Sequence, residues 1–136
     1  MLKVLGVAII LLGLGIAILP QFTTCQSQGR YMTMANGQIV PMKCLWTARA
    51  EIVAGVPILA VGAMTVFSRK KESLIFLGIL GVILGALVIL LPTSLIGVCN
   101  GSMLCDTVMK PTLVSLGSLV IAASLIGLFL SFRNGE

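Results

Sequence analysis

Four apolar stretches, each near the length a helix needs to cross a lipid bilayer, take up most of this 136-residue chain and decide its class. They run over 4–22, 48–67, 74–92 and 112–132. In hydrocarbon every backbone N–H and C=O must find its partner within the segment, so single runs of this kind are helices. What remains is a pair of polar segments, 23–47 and 93–111, and the tight turn Ser68-Arg69-Lys70-Lys71-Glu72. The composition leaves no material for a soluble domain: 58% of residues are hydrophobic and 10% charged, against roughly 25% charged in soluble domains. The expectation is an all-α membrane protein, one domain over 1–136 with four transmembrane helices. Lys3 and the apolar run after it resemble the start of a signal peptide. Pro20-Gln21-Phe22-Thr23-Thr24 offers no small-x-small cleavage site, and Thr24 is too bulky for a lipoprotein site at Cys25, so an uncleaved anchor is expected.

Charge sets the orientation. The formal net charge is +5, but the cations are spread over both sides of the membrane. No basic face with interleaved aromatics occurs, which argues against a nucleic-acid partner. The Arg69-Lys70-Lys71 turn has the character of a cytoplasmic loop, and Lys3 and Arg133 share its side. The other side holds Arg30, Lys43, Arg49 and Lys110, so the margin is five to four. The cysteines agree with it. Cys25 and Cys44 lie in the first outer segment, Cys99 and Cys105 in the second, and an oxidising exterior suits all four. A multi-pass protein of the cytoplasmic membrane with both termini cytoplasmic is expected.

Disulfides are expected to staple these extracytoplasmic loops. Cys25–Cys44 and Cys99–Cys105 would close each loop within itself, Asn100-Gly101 supplying a turn for the second. A ring of about 20 residues at the first pair stabilises by roughly 3 kcal/mol in the chain-entropy account. Pairing across the loops stays open. Four helices with external cysteine pairs also describe the quinone-linked thiol oxidases. Their chemistry uses a closely spaced reactive pair, usually Cys-x-x-Cys. The intervening residues here number 18 and 5, with no such motif. Staples are the simpler reading.

The chain also repeats itself. Leu5-Gly6, Leu12-Gly13 and Leu19-Pro20 match Leu77-Gly78, Leu84-Gly85 and Leu91-Pro92 at a constant offset of 72. Met42-Lys43-Cys44 echoes Met103-Leu104-Cys105, and an arginine follows a Phe/Ser pair after each second helix (Arg69, Arg133). This predicts a 2+2 helix-hairpin pseudo-repeat about an axis along the membrane normal. The glycine stripes (Gly6 and Gly13, Gly55 and Gly62, Gly78 and Gly85), with Gly81–Gly85 and Ala123–Gly127 steps, let helices approach closely. They serve internal packing or an oligomer contact. Pro20 and Pro92 are expected to close the first and third helices, Pro111 to open the fourth, and Pro57 to kink the second.

Candidate site residues are few. Met32, Met34, Met42, Met103 and Met109 cluster in the outer segments. Thioethers suit Cu(I), making Met32, Met34, Met42 and Met103 the candidate metal ligands. The chain has no histidine, and methionine also fills apolar gaps at interfaces, so no metal or other cofactor is expected. The polar constellation is Trp46-Thr47-x-Arg49-x-Glu51. Thr47 is placed to cap the second helix and Trp46 to anchor at the interface. Glu51 falls about a turn inside the boundary, where the positive helix end favours it and Arg49 or Lys110 could pair with it.

Two motifs carry a resemblance: Met42-Lys43-Cys44-x-Trp46-Thr47-x-x-Ala50-Glu51, and Leu91-Pro92-Thr93 with Leu95-Ile96-Gly97-Val98-Cys99 and Met103-x-Cys105. With them the chain resembles, over almost its whole length, the bacterial and archaeal membrane family catalogued as domain of unknown function 4418. In that family a histidine often follows each motif cysteine; Leu45 and Asp106 stand there in this sequence. The resemblance implies four helices, no established activity, and genes that accompany ABC transporters with permeases of the macrolide-exporter type. The expected role is therefore a non-enzymatic accessory or interaction subunit of an ABC-type transport complex. Its partners would be the lipid bilayer and a membrane protein, with oligomerisation open. The alternatives are a membrane thiol–disulfide oxidoreductase of quinone-linked type, or a metal- or haem-binding membrane sensor. A channel or transporter in its own right is not expected, because no polar residues line the midplane.

Overall fold

The computed structural model describes residues 1–24, 27, 29, 31–98 and 105–133. Four helices make the body: α1 (Leu2–Phe22), α2 (Lys43–Phe67), α3 (Lys71–Leu90) and α4 (Lys110–Arg133). All four are long and apolar enough to cross a membrane. Two short strands, β1 (Met32–Thr33) and β2 (Ile39–Val40), pair antiparallel between α1 and α2, with Met32 opposite Val40 and Thr33 opposite Ile39.

The helices pack chiefly as sequential hairpins, α1 on α2 and α3 on α4, with slighter contacts joining α1 to α4 and α2 to α3. Glycine makes the close seams. A Cβ on Gly62 would lie 3.0 Å from Ile10 N and 3.1 Å from Gly6 O; one on Gly55 would lie 3.3 Å from Gly13 O. The second hairpin repeats the device: a Cβ on Gly85 would be 3.1 Å from Gly117 O, and one on Gly117 3.0 Å from Gly85 O. Where lipid tails supply no hydrophobic drive, such backbone approach supplies the van der Waals contact that holds helices together. Gly81 belongs to this seam, facing Ser124. Gly127 does not: a Cβ there would meet nothing within 4 Å, so the Ala123–Gly127 step is not an internal contact at that residue.

Between the hairpins, Ile9, Ile16, Ala54, Ile58, Val88, Leu113 and Val120 form the buried core. Helical hydroxyls mostly return to their own helix, as Thr65 does to Val61 O (2.7 Å) and Ser118 to Val114 O (2.8 Å). That is the usual way to satisfy them without water. The buried Ser124 Oγ and Ser131 Oγ have no such partner, and Ser124 borders a cavity of about 20 Å³.

Several helix ends depart from expectation. α2 begins at Lys43 rather than 48, because the polar run Lys43–Thr47 is helical and buries Cys44 and Thr47. α1 ends at Phe22, where its span was expected to end, but Pro20 lies inside it rather than closing it. α3 opens at Leu91 into a π-helical turn, Leu91–Leu95, as Pro92 enters without an N–H to donate. That turn ends with Ile96 N and Gly97 N both on Leu91 O, and Gly97 takes a φ of +75° that side chains disfavour. A second π-helical turn, Cys105–Met109, leads into α4, and Pro111 sits in the first turn of α4 as expected. Pro57 lies within α2, which is helical on both sides of it.

Candidate functional site

Polar chemistry gathers at the end of the bundle where the two outer segments meet. Along α2, Cys44, Thr47, Ala48 and Glu51 recur at three- and four-residue steps, so they share one buried face. Cys44 stands in the first turn of α2. It is fully buried in a cluster with Cys105, which opens the turn before α4, and Met42 and Val98 pack around the two. Cys105 Sγ lies 3.4 Å from Thr23 O, to which it donates. Thr47 Oγ1 donates to Gly97 O at 2.8 Å, and Gln21 Nε2 donates to Ala48 O at 3.3 Å. The chain leaving α1 and the chain leaving α3 are thus both tied to the first turns of α2. The positive φ of Gly97 aims its carbonyl into that arrangement.

Cys25, Cys99 and Met103 lie outside the described residues, as does the Asn100-Gly101 turn, so the expected loop-closing pairs are seen from one side only. The structure does bring Cys44 and Cys105, one from each half, into contact within a single cluster.

The other candidates separate. Thr47 is not the cap of α2; Met42 holds that position, with no side-chain bond, and Thr47 is spent on Gly97. Glu51 lies more than two turns into α2, beyond the reach of the helix-end field. It is fully buried, and neither carboxyl oxygen has a hydrogen-bond partner. Arg49 does not meet it. Residues two apart on a helix point to different sides, and Arg49 instead lies over the exposed Trp46 ring, 5.8 Å from its centroid. That geometry is a cation–π pair. Met32 and Met34 are exposed at the hairpin, Met42 packs on the cysteine cluster, and Met109 belongs to the apolar core rather than to an outer loop. Among the described residues no three His, Cys, Asp or Glu side chains gather to hold a metal.

The strand pair is the element the sequence reading passed over. Its signal was present in Asn36-Gly37, the dipeptide of tight hairpin turns. Gly37 has a φ of +75°, and the turn closes through Gly37 N to Met34 O and Met34 N to Gln38 O.

The sequence profile of a family described as "Domain of unknown function (DUF4418)" matches residues 3–130. The chain belongs to the DUF4418 family. The matched span takes in all four helices and the cysteine layer, so the DUF4418 unit is the bundle itself rather than a module within it. Its description assigns no chemistry. No curated protein and no solved structure matches the chain.

Proposed function

We propose that this DUF4418 protein is a non-enzymatic accessory or interaction subunit of an ABC-type transport complex in the cytoplasmic membrane, with both termini cytoplasmic. The observation that carries the reading is the hairpin beyond the helices. Tyr31, Met32, Met34 and Ile39 are 51%, 63%, 58% and 61% exposed there. Large apolar side chains on a helix face can be covered by lipid, but on a two-stranded element outside the spans they ask for a protein surface. Among the described residues each strand pairs only with the other, and an unpaired strand edge is a template for another chain. The Trp46–Arg49 stack flanks the same end of the molecule.

The cap would be held by disulfides, and the chain would be a duplicated hairpin. Support for duplication comes from Gly13 and Gly85, related by the 72-residue offset, which both lie against a glycine of their own hairpin. Cys44 and Cys105, echoed in sequence, each precede or open the second helix of their half and share one cluster. The same pairing supports a second reading, a quinone-linked thiol–disulfide oxidoreductase, which predicts quinone-dependent thiol oxidation lost on Cys105→Ala.

A photo-crosslinking residue at Met34 or Ile39, activated in native membranes, tests the leading reading. The expected outcome is a discrete adduct with a permease-class membrane protein. Adducts to lipid alone, at both positions, would remove the hairpin as a contact surface and the reading with it.

A further inference from the structure

At the opposite end of the bundle, a pocket of about 450 Å³ opens where the start of α1, the end of α2 and the start of α3 converge. Lys3 and Arg69 line it together with the apolar Leu2, Val66, Phe67 and Leu74. The seam of the first hairpin places the cations. A Cβ on Gly6 would be 3.2 Å from Val66 N and 3.1 Å from Gly62 O, so the two backbones cross almost in contact there. Lys3 lies one turn before that crossing and Arg69 three residues beyond it, which puts both at one mouth. Both are exposed, and among the described residues neither has an acidic partner within ion-pair distance. Ser68, which also lines the pocket, shares its hydroxyl hydrogen bond with Ser73 (3.2 Å), and the adjoining turn adds Lys70, Lys71 and the acid Glu72. Beside the cations, Phe67 ends α2 with 84% of its surface exposed.

We propose that this pocket binds the headgroup of an anionic phospholipid. The phosphate diester sits between the Lys3 ammonium and the Arg69 guanidinium, and the glycerol and upper acyl chain lie on Leu2, Val66 and Phe67. Charge complementarity selects the occupant: two cations that meet no acid among the described residues, beside an apolar lining, match a ligand that is anionic at one end and greasy at the other. A guanidinium suits phosphate oxygens by its forked donors, an ammonium by its compact charge. The proposal requires only that the four helices cross a membrane; it stands apart from the role of the cap and from which leaflet the pocket faces.

The test uses the full chain in detergent, with phosphatidylglycerol, phosphatidylcholine or inorganic phosphate added, reading bound lipid by native mass spectrometry and stability by thermal melting. Phosphatidylglycerol is expected to bind and to raise Tm more than phosphatidylcholine. The double variant Lys3→Gln, Arg69→Gln is expected to bind it about thirtyfold more weakly, on the order of a factor of five for each surface cation, with an unchanged Tm in the absence of lipid. Lys70→Gln, Lys71→Gln, equal in net charge but outside the pocket lining, is expected to retain binding. Equal loss in the two double variants would reduce the effect to diffuse charge and overturn the site. No preference for phosphatidylglycerol over phosphatidylcholine would do the same, and a Tm rise with inorganic phosphate equal to that with phosphatidylglycerol would overturn the lipid as occupant.

Discussion

The two hairpins are closed by the same device but filled differently. In the first, glycine faces backbone at successive levels: Gly62 at Gly6 and Gly55 at Gly13. In the second, glycine faces glycine backbone at one level, Gly85 with Gly117. Below it Gly81 faces Ser124 and Gly78 faces Leu128. The contrast extends to the inward faces. α2 turns Thr47 and Glu51 into the bundle, whereas α4 turns Leu113, Val120 and the smaller hydroxyls of Ser124 and Ser131 inward. The lesson is a division of labour: the first hairpin sets glycine on backbone at two levels and buries a carboxyl, while the second fills more of its seam with side chains and buries hydroxyls alone.

The sharpest way to break the comparison is Gly62→Leu. Its Cβ would sit 2.8 Å from Ile10 Cγ1 and against backbone that cannot yield. Overpacking of this kind costs about 3 kcal/mol, measured as loss of the folded fraction in a detergent denaturation series; Gly78→Ala, which meets only the Leu128 side chain, is expected to cost clearly less. Next in size is Glu51→Met. Replacing a buried carboxyl that has no hydrogen-bond partner by an apolar chain of similar length removes a desolvation penalty, so the variant is expected to gain about 1–2 kcal/mol in the same assay. A loss instead would mean that Glu51 serves a bound group.

Thr47→Val removes the hydroxyl that holds Gly97 O and is expected to cost about 1 kcal/mol. Amide exchange at Ile96 and Gly97 should quicken with it, a readout specific to the tie between the hairpins. The smallest effect is expected at Gly127→Ala, where the added methyl meets nothing: a change within about 0.5 kcal/mol. If that variant instead dissociates an oligomer on native gels, the open Ala123–Gly127 step is an interface between copies.

Length and hydropathy made the four spans legible, because a bilayer tolerates almost nothing else over so many residues. Their starts were less so. Lys43–Thr47 reads as loop by polarity, yet it is helical because Cys44 and Thr47 find buried partners on other segments. The meeting of Cys44 with Cys105 depends on how two hairpins stack, which no local spacing encodes. Glu51 illustrates the limit most clearly. Its sequence neighbours suggest a pairing with Arg49, but the helical turn sends the two to different faces, and only the bundle decides which face is inside.

The closeness of Gly6 to Gly62 has a consequence for how such a chain is made. Both halves of that seam are in place once the residues through the basic turn have been synthesised, before any of α3 exists. The first pair of helices can therefore leave the insertion machinery already zipped, as a finished wall. α3 and α4 can then close on one another and dock against it. Their slighter contacts with that wall ask for alignment rather than for the insertion of side chains between helices that are already sealed.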